Sequence, residues 1–197
     1  MPREAGKMKI GVLSLQGGYK EHINHIKTLG EEAVEIRKFE DLKSLDGIIL
    51  PGGESTTIGK LLRDTNLLLP LKEKILRGTP TWGTCAGMIL LAKKLENDEN
   101  VYLDLLDIEV RRNAYGRQID SFSANEVIGE ISIEPFPLVF IRAPYVVSVG
   151  KEVKILHKTD DHIVAVRMGH VLATSFHPEL TDNLEFHKYF LNICKDK

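Results

Sequence analysis

The stretch Gly83-Thr84-Cys85-Ala86-Gly87 sets one of the chain's two cysteines between two glycines and ahead of the apolar run AGMILLA. A glycine-x-nucleophile-x-glycine segment that joins a strand to a helix is a sharp turn, and it presents the central side chain above the sheet. For a cysteine at that point, the positive end of the following helix favours the thiolate, the form that attacks a carbonyl carbon. The unpaired N–H groups of the first helical turn, Ala86 among them, face the place where a carbonyl oxygen gains charge. Taken alone, the stretch also fits a buried structural cysteine beside a glycine-rich turn.

A thiolate needs a base to manage protons, and the base needs an acid to orient it. Of the seven histidines, His177 stands apart because it follows an apolar strand in ATSFHPEL, where Pro178 blocks further pairing and Glu179 lies two residues on. With an extended proline between them, His177 and Glu179 can point to one side, so that the carboxylate holds the imidazole. His22, His25, His157, His162, His170 and His187 sit among polar neighbours or on helix faces and read as solvated.

The third element is ILPGGES. A strand ending in Pro-Gly-Gly leaves backbone without Cβ atoms near whatever lies over the sheet's carboxyl edge, so the N–H of Gly52 or Gly53 can serve an oxyanion. Glu54 can receive a cationic group or cap a helix starting at Ser55 or Thr56. Arg111, Arg112, Arg117 and Arg142 are candidates for a carboxylate, because a guanidinium fork meets one in two hydrogen bonds. Arg142 lies in the apolar FIRAP, whereas the adjacent Arg111 and Arg112 also suit a solvated loop.

The elements that must position these residues alternate. MKIGVLSLQ reads as a buried strand, followed by Gly17-Gly18 and a helix marked by Tyr19, Ile23 and Ile26. AVEI and DGIILPGG are strands. Leu61 to Arg77 is mostly helical with a break near Asn66 to Pro70, and AGMILLA is a helix buried on most sides. Strand–helix alternation with short loops predicts a parallel sheet covered on both faces. From Val127 to Phe176, EISIE, LVFIRA, YVVSV, VKILH, HIVAVR and HVLATSF read as short strands, with a turn at Met168-Gly169. A last helix runs from about Asn183 to Cys194, with Asp182 and Glu185 spaced as a capping pair.

At 197 residues the chain suits one domain with a real core. Its net charge of −2 comes from interspersed acids and bases, so no basic stripe offers itself to nucleic acid or to anionic lipid. No stretch approaches the ~20 apolar residues of a membrane helix. Two cysteines make no disulfide framework, and a reducing cytoplasm is the simplest compartment. Residues Met1 to Lys7 are expected to be a disordered leader, with the domain spanning 8–197.

Together, PGGES, GTCAGMILLA and SFHPEL resemble the oxyanion strand, nucleophile elbow and His-x-Glu pair of the class I (triad) glutamine amidotransferases. LSLQGGYKEH, RRNAYGRQIDSF, FIRAPY and ATSFHPEL are further similar to the glutaminase subunits of pyridoxal 5′-phosphate synthases, over roughly Met8 to Lys195. The resemblance implies a single-domain, three-layer, flavodoxin-like α/β fold with a central, mostly parallel sheet. It implies glutamine hydrolysis by Cys85, His177 and Glu179 through a thioester, with the oxyanion on the N–H groups of Gly53 and Ala86 and no cofactor or metal. L-glutamine would be held by Gly52, Gly53, Glu54, Arg112, Ile141 and Arg142. The ammonia would pass to a (β/α)₈-barrel synthase subunit, a contact in which Gln16 is implicated. This chain departs from relatives at Tyr19 and at Thr81-Trp82, where Trp82 is expected to alter packing behind the elbow. A glutaminase serving another acceptor, or an α/β module without turnover, are the competing readings.

Overall fold

The structure, a computed structural model, describes residues 6–112 and 121–196. Most of the expected leader, residues 1–5, lies outside the described residues, as do Arg117 and most of the RRNAYGRQIDSF motif. The chain begins with β1 (Lys9–Leu13), α1 (Tyr19–Thr28), β2 (Glu32–Ile36) and β3 (Gly47–Leu50). It continues through α2 (Ser55–Asp64), α3 (Leu68–Leu76), β4 (Thr81–Thr84), α4 (Ala86–Leu91) and β5 (Ala92–Leu95). Then come β6 (Leu106–Arg111), β7 (Ser121–Glu126), β8 (Phe136–Ile141), β9 (Tyr145–Val149) and β10 (Lys154–Thr159). The last elements are β11 (His162–Met168), β12 (Val171–Thr174), a 3₁₀ turn at Pro178–Leu180 and α5 (Glu185–Lys195).

The main sheet has the order β2-β1-β3-β4-β12-β11-β9-β6-β5, with β10 beside β11, while β7 and β8 form a separate hairpin. From β2 to β12 every pairing is parallel. The chain leaves β1 toward β2 on one side and β3 on the other. That reversal opens a crevice beyond the carboxyl ends of the strands, where open α/β sheets bind ligands. Helices cover both faces, as expected. Ile58, Leu62, Leu71 and Met88 of α2, α3 and α4 pack on one face with Ile48 and Leu50. On the other, Ile26, Phe186 and Phe190 of α1 and α5 pack with Ile10, Val12 and Ile49. Alternation along β3 sends neighbouring side chains to opposite cores. Phe186 and Phe190 are fully buried, each contributing roughly 2–3 kcal/mol. Among the described residues no helix is long and apolar enough to cross a membrane.

Several local expectations change. EISIE is no strand: Ile131 and Ser132 donate their N–H groups back to Ile128 O, and Ile133 points outward at 87 % exposure, so nothing rewards extension. The cap position of α5 is Leu184, which has no capping side chain, and the Glu185 N–H is taken by Asn183 Oδ1 at 2.9 Å rather than by Asp182. The turn before β12 sits one residue later than expected, at Gly169-His170, because Met168 still pairs with Val171. β5, β6 and β7 carry too many charged or small residues to read as strands, and pairing rather than composition makes them so.

The two glycines around Cys85 are required by close approach. A Cβ on Gly83 would lie 2.5 Å from the Gly87 carbonyl, and one on Gly87 would overlap the Leu50 carbonyl oxygen. Both obstacles are backbone and cannot swing aside. Gly87→Ala is therefore expected to cost about 3 kcal/mol. Urea unfolding reads this as a lower midpoint at unchanged slope, and a loss below about 0.5 kcal/mol would refute the close approach.

Candidate active site

Cys85 caps α4 at φ 50°, ψ −103°, a left-handed conformation that a side-chain-bearing residue holds only where the surroundings enforce it. They do so here through the glycine contacts and through the Cys85 N–H, which donates to Thr174 O at 2.8 Å. That bond ties the elbow to the end of β12, and β12 leads directly into His177.

His177 is anchored by its own N–H, which donates to Val139 O at 2.8 Å. Pro178 starts the 3₁₀ turn and so folds Glu179 back, setting Glu179 Oε1 2.7 Å from His177 Nδ1. The same imidazole shares the cleft with the Cys85 side chain, which favours its charged form. Burial, the largest influence, opposes a charge on His177. The hydrogen bonds to Cys85 and Glu179 and their negative charge together outweigh it and raise the imidazole to about 10.

A Cβ on Gly52 would collide with the His177 ring, so the Pro-Gly-Gly backbone passes directly against the imidazole. The Gly52 carbonyl accepts from the Gly18 N–H at 2.9 Å. In a trans peptide the Gly53 N–H then points away from Gly18. Gln16 braces this loop from β1, its Oε1 accepting the Glu54 N–H at 2.9 Å.

One cleft of about 420 Å³ collects Gln16, Gly52, Gly53, Glu54, Cys85, Ala86, Arg112, Ile141, Arg142, His177 and Glu179, at the small end of ligand-site volumes. Every candidate named by the resemblance is in it; Gly18, Ile89 and Leu180 join them. Glu54 does cap α2: its carboxylate accepts from the Thr57 hydroxyl at 2.7 Å and from the N–H groups of Thr57 and Thr56. The Thr57 hydroxyl first, then these N–H groups, hold it below the usual carboxylate range. The two adjacent arginines separate. Arg111 faces outward and pairs with Glu96. Arg112 turns inward, braced by Thr56 Oγ1, Tyr102 OH and Asp98, and leaves a buried Nε with no hydrogen-bond partner among the described residues. Arg142 takes φ 41° at the cleft wall.

The expectation that six histidines are solvated fails for two of them. His22 and His187 are fully buried, in contact at 2.9 Å, with the Trp82 indole set edge-on to both rings. The helical spacing of His22 to Ile26 and of His187 to Leu191 and Cys194 is the signal that places both on inward faces. Trp82 also stacks on Phe186 at 5.6 Å, so it fills the space behind the elbow.

These two rings predict acid lability. Burial and then the neighbouring His187, His177 and His25 hold His22 well below its ordinary value, and burial with His25 lowers His187 to about 3. Both are neutral in the fold, whereas in the unfolded chain they take up protons below about pH 6.5. Stability is therefore full above that pH and falls as pH drops, by about 1.4 kcal/mol per pH unit for each ring. Urea unfolding between about pH 6 and 5 should show this slope, and an unchanged free energy would contradict it.

Comparison with known proteins points one way. The sequence model of the SNO glutamine amidotransferase family matches residues 12–196. Pyridoxal 5′-phosphate synthase subunit PdxT of Clostridium acetobutylicum is 58 % identical over 186 residues, spanning 94 % of this chain and 100 % of the relative. The protein of the same name from Clostridium kluyveri is 60 % identical over 188 residues, 95 % of this chain and 100 % of the relative. A crystal structure of a glutamine amidotransferase superposes with a TM-score of 0.88 at 46 % identity, covering 94 % of this chain and 98 % of that one. The structure of PurLQS from Thermotoga maritima, at 16 % identity and a TM-score of 0.68 over 94 % of this chain and 98 % of that one, shares the fold.

Proposed function

The chain belongs to the SNO glutamine amidotransferase family, and on that footing we propose that it is the glutaminase subunit of a pyridoxal 5′-phosphate synthase. It converts L-glutamine and water to L-glutamate and ammonia. The observation that carries the residue assignment is the gathering of Cys85, His177 and Glu179 in one cleft, with Glu179 bonded to His177 Nδ1 and the Gly52 backbone lying against both the imidazole and Cys85.

Cys85 attacks the carboxamide carbon of glutamine from the elbow. The oxyanion is received by the N–H groups of Gly53 and Ala86, a pair of donors of which each is worth about 10²–10³ in rate. His177, held by Glu179, protonates the departing nitrogen, so that ammonia leaves and a glutamyl thioester remains. The imidazole, now neutral, takes a proton from water, and the hydroxide adds to the thioester and releases glutamate with the Cys85 thiolate.

Substrate binding follows from charge. The ionised Glu54 suits the α-amino group, and the guanidinium groups of Arg112 and Arg142 on the cleft wall suit the α-carboxylate. Gly52, Gly53 and Ile141 complete the wall. Ammonia released into water at neutral pH becomes ammonium and loses its nucleophilicity, so a partner must capture it. We assign that role to a (β/α)₈-barrel synthase subunit in a cytoplasmic hetero-oligomer. Gln16, bonded to the Glu54 N–H, transmits the contact to the oxyanion loop. The test is glutamate formation with and without the synthase subunit: turnover that rises on addition of the partner supports the reading, and no glutamate in either state ends it.

A further inference from the structure

The steps above leave unused a buried polar cluster behind Glu179. His22 of α1 directs its Nε2 to Glu179 Oε2 at 3.5 Å and to Thr84 Oγ1 at 3.3 Å. Its Nδ1 lies 2.9 Å from His187 Nε2 on α5. Glu179 Oε2 is buried and has no hydrogen-bond partner among the described residues, His22 Nε2 lying beyond hydrogen-bond length at 3.5 Å, although its twin oxygen is taken by His177. A buried carboxylate oxygen left without a donor is costly, so the atom facing it matters.

Proton inventory fixes what that atom must be. The groups that face His22 are Glu179 and His177 from the 3₁₀ turn, His187 from α5, His25 from its own helix, and the uncharged Thr84 and Trp82 from β4. With three histidines and no water-exposed edge around it, the ring stays neutral and carries one N–H. A proton on Nδ1 would leave the bare lone pair of Nε2 facing a carboxylate oxygen, which is repulsive. A proton on Nε2 bonds Thr84 Oγ1 at 3.3 Å, turns the positive N–H edge toward Glu179 Oε2 at 3.5 Å, and leaves Nδ1 to accept from His187 Nε2–H at the observed 2.9 Å. The Trp82 ring packs near-perpendicular against both, its centroid 5.4 Å from that of His22 and 4.9 Å from that of His187.

We propose that His22 is a positioning residue for this reaction: its Nε2–H holds one oxygen of Glu179 so that the other stays on His177 Nδ1, and His187 fixes the tautomer that makes this possible. The inference rests on the reading of Cys85, His177 and Glu179 as the reacting set.

The experiment uses the full chain with its synthase partner and compares His22→Leu, His22→Gln and Cys85→Ala in a glutaminase assay. His22→Leu should lower kcat by about 10–100-fold with KM changed less than about 3-fold, the range seen when an outer hydrogen-bonding partner is lost. His22→Gln, which carries an amide N–H near the Nε2 position, should recover most of that loss. The ¹⁵N NMR pattern of the wild-type ring should be that of the Nε2–H tautomer. An Nδ1–H tautomer, a wild-type kcat in His22→Leu, or equal loss in the two His22 variants would each overturn the proposal. Should His22→Leu fail to fold, the tautomer and the His22→Gln kcat still decide. Undiminished turnover in Cys85→Ala would instead remove the underlying reading, and this proposal with it. A silent Cys85→Ala beside a fully active His22→Leu would remove this proposal alone.

Discussion

Cys85→Ala should lower glutamate formation by at least about 10⁴-fold, whether or not the synthase partner is present. The side chain is held at a strained φ of 50° in the same cleft as the His177 imidazole, and alanine removes the nucleophile while fitting the same turn. Among the described residues no neighbouring hydroxyl can take over: Thr84 points its oxygen to His22, and Ser55 caps no comparable elbow. The fold should be intact, since the deletion leaves the Cys85 N–H bond to Thr174 O unchanged. If the chain does no more than supply ammonia, the synthase should still make its product from ammonium salts in the presence of Cys85→Ala protein. Retained glutamate formation would sink the nucleophile assignment. Failure of ammonium to bypass the variant would give this subunit a second role.

The cleft was legible before the fold because its chemistry is local in sequence. Gly83 to Gly87, Pro51 to Glu54 and Ser175 to Leu180 each carry their own turn, and each follows a strand, so one parallel sheet brings all three to one edge. Alternation of strand and helix through residue 93 gave that sheet correctly. Beyond it the signal weakened. β6 and β7 alternate in burial, yet their outward residues are charged or polar, and β6 meets β9 only across a long separation in sequence, so strand character there shows in the pairing rather than in composition. Asp182 does not cap α5 because the helix starts at Glu185 after Leu184, where Asn183 Oδ1 reaches the Glu185 N–H.

The buried histidines were missed for a different reason. Imidazoles at His22 and His187 look like surface residues by type, and only the helical period reveals that each faces inward beside apolar neighbours. Their burial is tolerated because each ring bonds the other, and Trp82 fills the remaining space. Trp82, expected to alter packing behind the elbow, is thereby the wall against which the Glu179 support is built. Sequence order gave the reacting residues; the support behind them depends on α1 and α5 meeting across β4.

Glu179→Gln tests that support from the other side and should lower kcat by about 10³-fold while leaving KM near its wild-type value. The carboxylate is 3 % exposed and bonds His177 Nδ1 at 2.7 Å, so the amide fits but brings no charge. It also brings a donor pair where His22 and His177 both present N–H, so one of the two contacts becomes donor against donor. Burial already disfavours the imidazolium and is outweighed in part by Glu179; without that charge His177 falls from about 10 toward neutrality. The departing nitrogen then lacks its acid, and the alkaline limb of kcat should move down by a unit or more. The sign carries into stability. A folded value raised to about 10 contributes stability that is full below the unfolded value near 6.5 and lost as pH rises through 10. The wild type should therefore exceed Glu179→Gln most just below about pH 6.5, and the gap should close above about pH 10. A pH series of kcat and of urea midpoints reads both effects, and an unmoved alkaline limb would separate Glu179 from the proton that His177 delivers.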